Sequence, residues 1–134
     1  MVKKIICSYI IKPSNMILEG GDPERVKLID FGIAKDRLTR ARTRGGMIKG
    51  KLRYMSPEQT LGRSVDHRTD LYSLGVTAFE LATGVLPFRE GNVPYHHVHT
   101  PAPDPRALCP GLPDALAAVI SRCLRKDPAE RPAS

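Results

Sequence analysis

The chain has 134 residues, a formal net charge of +7 and 41% hydrophobic residues, with no Trp. That is room for one compact domain with a modest, mainly aliphatic core. Three cysteines without a C-x-x-C exclude a zinc knuckle or redox pair and fit a reducing, cytoplasmic setting, while the Lys/Arg excess fits a nucleic acid, an acidic peptide or a merely solvated surface.

The first residues, MVKKIICSYIIK, imitate a signal peptide. The apolar run is short, Tyr9 interrupts it and no small-residue cleavage site follows, so secretion is not the expectation. Lys3 to Ile11 reads as a strand or short buried run, broken by Lys12-Pro13-Ser14-Asn15. Met16-Ile17-Leu18 and Val26-Lys27-Leu28-Ile29 read as two strands around a Gly-rich turn, which is a hairpin. Asp30-Phe31-Gly32 ends the second strand. A carboxylate there either holds a metal ion or caps the loop.

From Lys35 to Arg53 the chain is basic and carries Gly45, Gly46 and Gly50, which reads as one long loop. Its cations suit phosphate, but no aromatics interleave before Tyr54, so no stacking platform for single strands is indicated. Pro57 then suits the start of a short helix through Glu58 to Leu61.

Asp66 to Gly84 is the longest apolar-rich run. Leu71, Leu74, Ala78, Leu81 and Ala82 recur at helical spacing, and Tyr72, Val76 and Phe79 occupy other faces. A helix apolar nearly all round is expected to be a buried central rod. Asp66 or Thr69 suits its start and Gly84 a left-handed stop. It is too short and too polar to cross a membrane.

Arg89 to Pro113 is rich in Pro and turn residues. His96, His97 and His99 would need to converge with another ligand to hold a metal, and Pro94 and Pro101 argue for an irregular loop instead. The last helix is expected over Pro113 to Arg125, with Leu116, Val119, Ile120, Cys123 and Leu124 as its apolar face. Cys123 then reads as core rather than as a reactive thiol.

Five of these segments resemble one family when taken in order. They are Lys12-Pro13-Ser14-Asn15, Asp30-Phe31-Gly32, Ser56-Pro57-Glu58, Asp70-Leu71-Tyr72-Ser73-Leu74-Gly75 and Asp127-Pro128-Ala129-Glu130-Arg131-Pro132. The order is that of the helical C-terminal lobe of a bacterial-type serine/threonine protein kinase. The resemblance implies a mainly α fold with one small β-hairpin, the C-lobe of the protein-kinase-like fold with the N-lobe absent. Residues 1–10 stand outside the match. Residues 11–15 correspond to a catalytic-loop remnant, 16–29 to a hairpin, 30–58 to an activation segment and 59–134 to a helical subdomain.

The resemblance also implies roles. Asn15 and Asp30 are similar to the family's Mg²⁺ ligands, Asp30 to the one whose Mg²⁺ bridges the ATP phosphates. Lys12 is similar to the catalytic-loop lysine. Thr39 and Thr43 sit where activation-loop phosphosites occur. Glu58 and Arg131 resemble a structural ion pair, and Asp70 resembles the Asp that anchors the catalytic loop from beneath. Implied cofactors are ATP and Mg²⁺, and implied partners are a protein substrate or a partner kinase, with no nucleic acid and no membrane segment.

The departures from the pattern are chemical. Counting back from Asn15, the H-R-D positions hold Ser8, Tyr9 and Ile10. Isoleucine has no acceptor for a substrate hydroxyl's proton. Lys51 stands where the family usually has Thr. No G-x-G-x-x-G and no V-A-I-K lysine occur in the sequence. The expectation is therefore a truncated or frame-shifted kinase fragment, inactive alone, or a non-catalytic, pseudokinase-like interaction module. A basic nucleic-acid-binding segment is the third reading.

Overall fold

The computed structural model describes residues 11–29 and 47–134. Ile10, Asp30, Thr39 and Thr43 lie outside the described residues.

Two short strands, β1 (Met16–Leu18) and β2 (Val26–Leu28), pair antiparallel with Met16 opposite Leu28 and Leu18 opposite Val26. A single 3₁₀ turn, Pro13–Asn15, leads into β1, with proline at its start where no N–H is required. The tip turns through Gly20 and Gly21 at φ 66° and 78°, a pair of left-handed residues that only glycine adopts without strain. Ile17, Leu18, Val26, Leu28 and Ile29 are all exposed, so the hairpin buries neither face. Thr77 ties its entry to the rest of the chain by donating a 2.8 Å bond to the Ile11 carbonyl.

The remainder is helical. The elements are α1 (Met47–Leu52), α2 (Pro57–Thr60), α3 (His67–Thr83), α4 (Val93–His99) and α5 (Asp114–Cys123), with 3₁₀ turns at Pro105–Ala107 and Pro128–Glu130. The stretch expected as one long loop thus ends in a helix. The expected loop around the histidines is also helical. Pro94 falls in the first turn of α4, where its missing N–H costs nothing, and the Asn92 side chain accepts from the Tyr95 N–H. A full capping box closes the start of α2: Ser56 accepts from the Gln59 N–H, and Gln59 accepts from the Ser56 N–H.

The central helix α3 keeps its expected bounds. Asp66 caps it through the Arg68 N–H, and Gly84 stops it at φ 77°. The helix is not buried all round, however. Tyr72, Gly75, Val76 and Phe79 face the core at i, i+3, i+4 and i+7, while Leu74 is 39% and Leu81 66% exposed. Gly75 decides this. A Cβ there would lie 2.7 Å from the Cys123 Cβ, so α5 approaches α3 along the one strip that has no side chain in the way. The same approach turns α5. Ala117, Ile120, Cys123 and Leu124 are buried, whereas Leu116 and Val119, expected on the apolar face, are exposed. Tyr54, Tyr72, Val76, Phe79, Ile120 and Leu124 form the core cluster.

Candidate functional site

Polar side chains are buried on the N-terminal side of α3. Glu58 on α2 and Arg131 near the chain end are both buried and meet as a two-pronged ion pair. Arg131 Nη1 lies 2.7 Å from Glu58 Oε1, and Nη2 lies 2.9 Å from Oε2. The other guanidinium N–H groups donate to the carbonyls of Arg125, Arg68 and Lys126 at 2.8, 2.8 and 3.0 Å. All five donors of the fork are therefore used. Thr69 adds a 2.7 Å bond to Glu58 Oε1, and the guanidinium carbon stands 5.0 Å from the centre of the Tyr72 ring. Burial raises the Glu58 pKa, but the bonds from Arg131 and Thr69 outweigh it and hold the carboxyl below its ordinary value.

Asp70, one turn into α3, contrasts with Glu58. Its buried Oδ1 has no hydrogen-bond partner among the described residues. Burial pushes its pKa up to about 6, with nearby His67 opposing and Asp66 adding. Such an orphaned carboxylate oxygen is rare in folded proteins.

A second cluster fixes the backbone between α1 and α2. His97 on α4 is fully buried. Its Nε2 is 3.0 Å from the Arg53 carbonyl and its Nδ1 is 2.9 Å from the Tyr72 hydroxyl. A carbonyl can only accept, so Nε2 carries the proton and Nδ1 accepts from Tyr72. Burial, reinforced by Lys126, lowers the His97 pKa to about 4, so the ring is neutral. Ser73 donates to the Tyr54 carbonyl at 2.8 Å, and the Tyr54 hydroxyl donates to Glu80 at 2.5 Å. Lys126 completes the cluster. Its ammonium lies 4.6 Å from the centre of the Phe88 ring and donates to the His96 carbonyl at 3.1 Å. Burial, with Arg131 adding, lowers its pKa to about 8.

Of the residues singled out in the sequence, the structure brings Glu58 and Arg131 into direct contact. It sets Asp70 a turn away on α3. Lys12 and Asn15 lie apart from these, at the foot of the hairpin. The Asn15 carbonyl accepts from the Ile29 N–H at 2.8 Å, so the ladder sets Asn15 beside the residue that precedes Asp30. Asp30, the other expected Mg²⁺ ligand, lies outside the described residues. Sequence reasoning missed Tyr54, Ser73, Glu80 and the structural use of His97. Their contacts span 19 to 44 residues along the chain and leave no local signal. Among the described residues no group of three His, Cys, Asp or Glu side chains is placed to hold a metal ion, and no helix is long and apolar enough to cross a membrane.

Residues 4–134 match the protein kinase domain model, beginning upstream of Ile11, where the motif resemblance starts. The chain is 45% identical over 132 residues to the serine/threonine-protein kinase Pkn1 of Myxococcus xanthus, which spans 92% of this chain and 19% of Pkn1. It is 41% identical to the DNA damage-responsive serine/threonine-protein kinase RqkA of Deinococcus radiodurans, over 92% of this chain and 19% of RqkA. It is 40% identical to the tyrosine-protein kinase MasK of Myxococcus xanthus, over 90% of this chain and 19% of MasK. The chain spans about a fifth of the length of these relatives. The chain belongs to the protein kinase domain family, and its helices and two-stranded sheet are a kinase-like fold.

Proposed function

We propose that this chain is the helical C-lobe of a serine/threonine protein kinase and handles protein substrates or a partner kinase without transferring phosphate on its own. The observation that carries the reading is the family match over residues 4–134 together with the buried Glu58–Arg131 pair, which ties the segment after α1 to the chain end. Asn15 and Asp30 are the residues that would hold Mg²⁺. The metal with ATP would supply the phosphoryl group and neutralise its charge. Lys12 would lie near that group. Thr39 and Thr43 would be the phosphorylated positions of the activation segment, and Asp70 would anchor the catalytic loop. Ile10, at the base position, offers no oxygen to orient or deprotonate a hydroxyl, and this is the chemical ground for inactivity.

The test is incubation of the purified chain with labelled ATP, Mg²⁺ and a generic protein substrate. The expected result is no incorporation into chain or substrate. Steady Mg²⁺-dependent incorporation would overturn the claim of inactivity. The second reading, a pseudokinase-like interaction module, is favoured by the exposed apolar hairpin, and specific capture of a kinase by a monodisperse chain supports it.

A further inference from the structure

Helix α5 is as apolar on its outer side as on its inner one. Ala117, Ile120 and Cys123 are buried on the side that meets α3. On the outer side Leu116 and Val119 are 45% and 54% exposed, and Ala115 and Ala118 are exposed beside them. Charge marks the two ends of that outer side. Asp114 opens the helix, with its side chain 91% exposed and its Oδ1 2.9 Å from Arg106 Nη1. Arg106 also pairs with Asp104, so this end carries two carboxylates to one cation. Arg122 in the last turn and Arg125 just beyond it mark the other end, and neither pairs with an acid among the described residues. Both line a groove with Ala118 and Ser121 in which Glu130 is the single carboxylate. This end therefore carries two cations to one carboxylate.

A face that runs from acidic through apolar to basic is complementary to itself when turned end for end. We propose that the outer face of α5 docks a second copy of this chain, helix against helix, antiparallel about a twofold axis beside Ala118 and Val119. The contact is isologous, since the same patch serves both copies. At 1.5 Å of rise per residue, Asp114 lies about 7 Å to one side of that axis, and Arg122 and Arg125 lie about 5 and 10 Å to the other. The acid of each copy thus falls between the two arginines of the other. Val119 packs across the axis, and the small side chains of Ala115 and Ala118 let the backbones approach. The antiparallel arrangement also sets opposite helix-dipole ends side by side. A uniformly acidic partner would meet Asp104 and Asp114 as like charges, and a uniformly basic one would meet Arg122 and Arg125. One ten-residue helix covers less than the ~1,200 Å² of a stable interface, so the dimer is weak, with a Kd on the order of 100 μM.

The experiment is sedimentation velocity of the full chain, from about tenfold below to tenfold above that Kd. The expected result is a monomer–dimer equilibrium that stops at the dimer. Asp114→Lys, and separately Arg122→Asp with Arg125→Asp, should each weaken it about tenfold or more. An equimolar mixture of these two variants should associate again, because one face is then cationic at both ends and the other anionic at both. Ile17→Thr with Leu28→Thr, which alters the exposed hairpin, should leave the dimer in place. If Asp114→Lys does not fold, the arginine reversal and the hairpin pair decide by themselves, with the dimer lost in the first and kept in the second.

A chain that stays monomeric throughout sinks the proposal, also where it binds a labelled acidic peptide through Arg122 and Arg125 instead. So does a mixture that associates no better than either variant alone. Loss of the dimer in the hairpin pair assigns association to the strands and overturns it as well.

Discussion

The two ends of this molecule solve opposite problems. Around α3 and α5, buried polar groups are nearly all matched: Arg131 uses every donor, and Glu58 accepts from two residues. The hairpin carries five exposed large apolar residues within fourteen positions, and its ion pairs among the described residues, Glu19 with Arg25 and Lys27, lie on the surface. Such pairs contribute about 0–1 kcal/mol each. Stability therefore resides in the helices, and among the described residues the hairpin is held by its own ladder and by the Thr77 bond to the Ile11 carbonyl at its entry. Substitutions at the two ends should differ by an order of magnitude.

The largest effect is expected at the ion pair. Arg131→Met alone leaves the Glu58 carboxylate buried and should cost about 3–5 kcal/mol, read as the shift of a urea midpoint. The double change Glu58→Leu with Arg131→Met should cost less than the sum of the singles, because no charge is left stranded. A double variant as costly as the sum would mean that the carbonyl contacts, and not the charge pair, carry the node.

Next comes the helix crossing. Gly75→Ala places a Cβ 2.7 Å from the Cys123 Cβ, two backbone-anchored atoms that cannot swing aside. The helices must separate, at about 1–3 kcal/mol. Although alanine is the better helix former by about 1 kcal/mol, the net sign should be destabilising. A rise in melting temperature would show that the crossing gives way freely.

Acid titration separates two buried groups that titrate in opposite senses. His97 has a folded pKa of about 4, below its ordinary value, so the unfolded chain binds more protons between about 4 and 6.5. Its contribution is present above that window and is lost as pH falls through it. Asp70 has a folded pKa of about 6, above its ordinary value, so the native state binds more protons between about 4 and 6. Its contribution is present at low pH and is lost as pH rises through 6. Asp70→Asn should therefore be the more stable protein at pH 7, by about 1 kcal/mol once solvent screening of the half-buried group is discounted. That advantage should shrink towards pH 4. An unchanged difference across the window would show that Asp70 is already ionised and compensated in the native state.

Much of this was legible in advance. The hairpin, the limits of α3 and the partnership of Glu58 with Arg131 follow from turn residues, capping residues and motif order. What the local pattern does not carry is decided by packing. Period counting treats glycine as neutral and makes the helix apolar nearly all round, yet Leu74 and Leu81 are exposed and the missing Cβ of Gly75 is what admits α5. Pro94 argues for an irregular loop by composition, although proline in a first turn starts a helix. The capping box at Ser56 and Gln59 was written in the sequence as S-x-x-Q and is a signal that could have been used. The clamp under Arg53 had no such signature, since His97 reaches it across 44 residues.

The smallest effect is expected at the hairpin, and it is the sharpest test of the contrast. Ile17 is 48% and Leu28 39% exposed, on neighbouring positions of paired strands. Ile17→Thr and Leu28→Thr remove little buried area, and threonine keeps strand propensity in both. Each should change unfolding free energy by no more than about 0.5 kcal/mol. The same changes should lower the chain's tendency to self-associate, because they break an exposed apolar strand pair of the kind that templates aggregation. Light scattering at rising concentration reads that directly. If stability instead fell by about 2 kcal/mol, as for a core truncation, the hairpin would be packed against part of the chain and the division between a tied helical end and a bare hairpin would not hold.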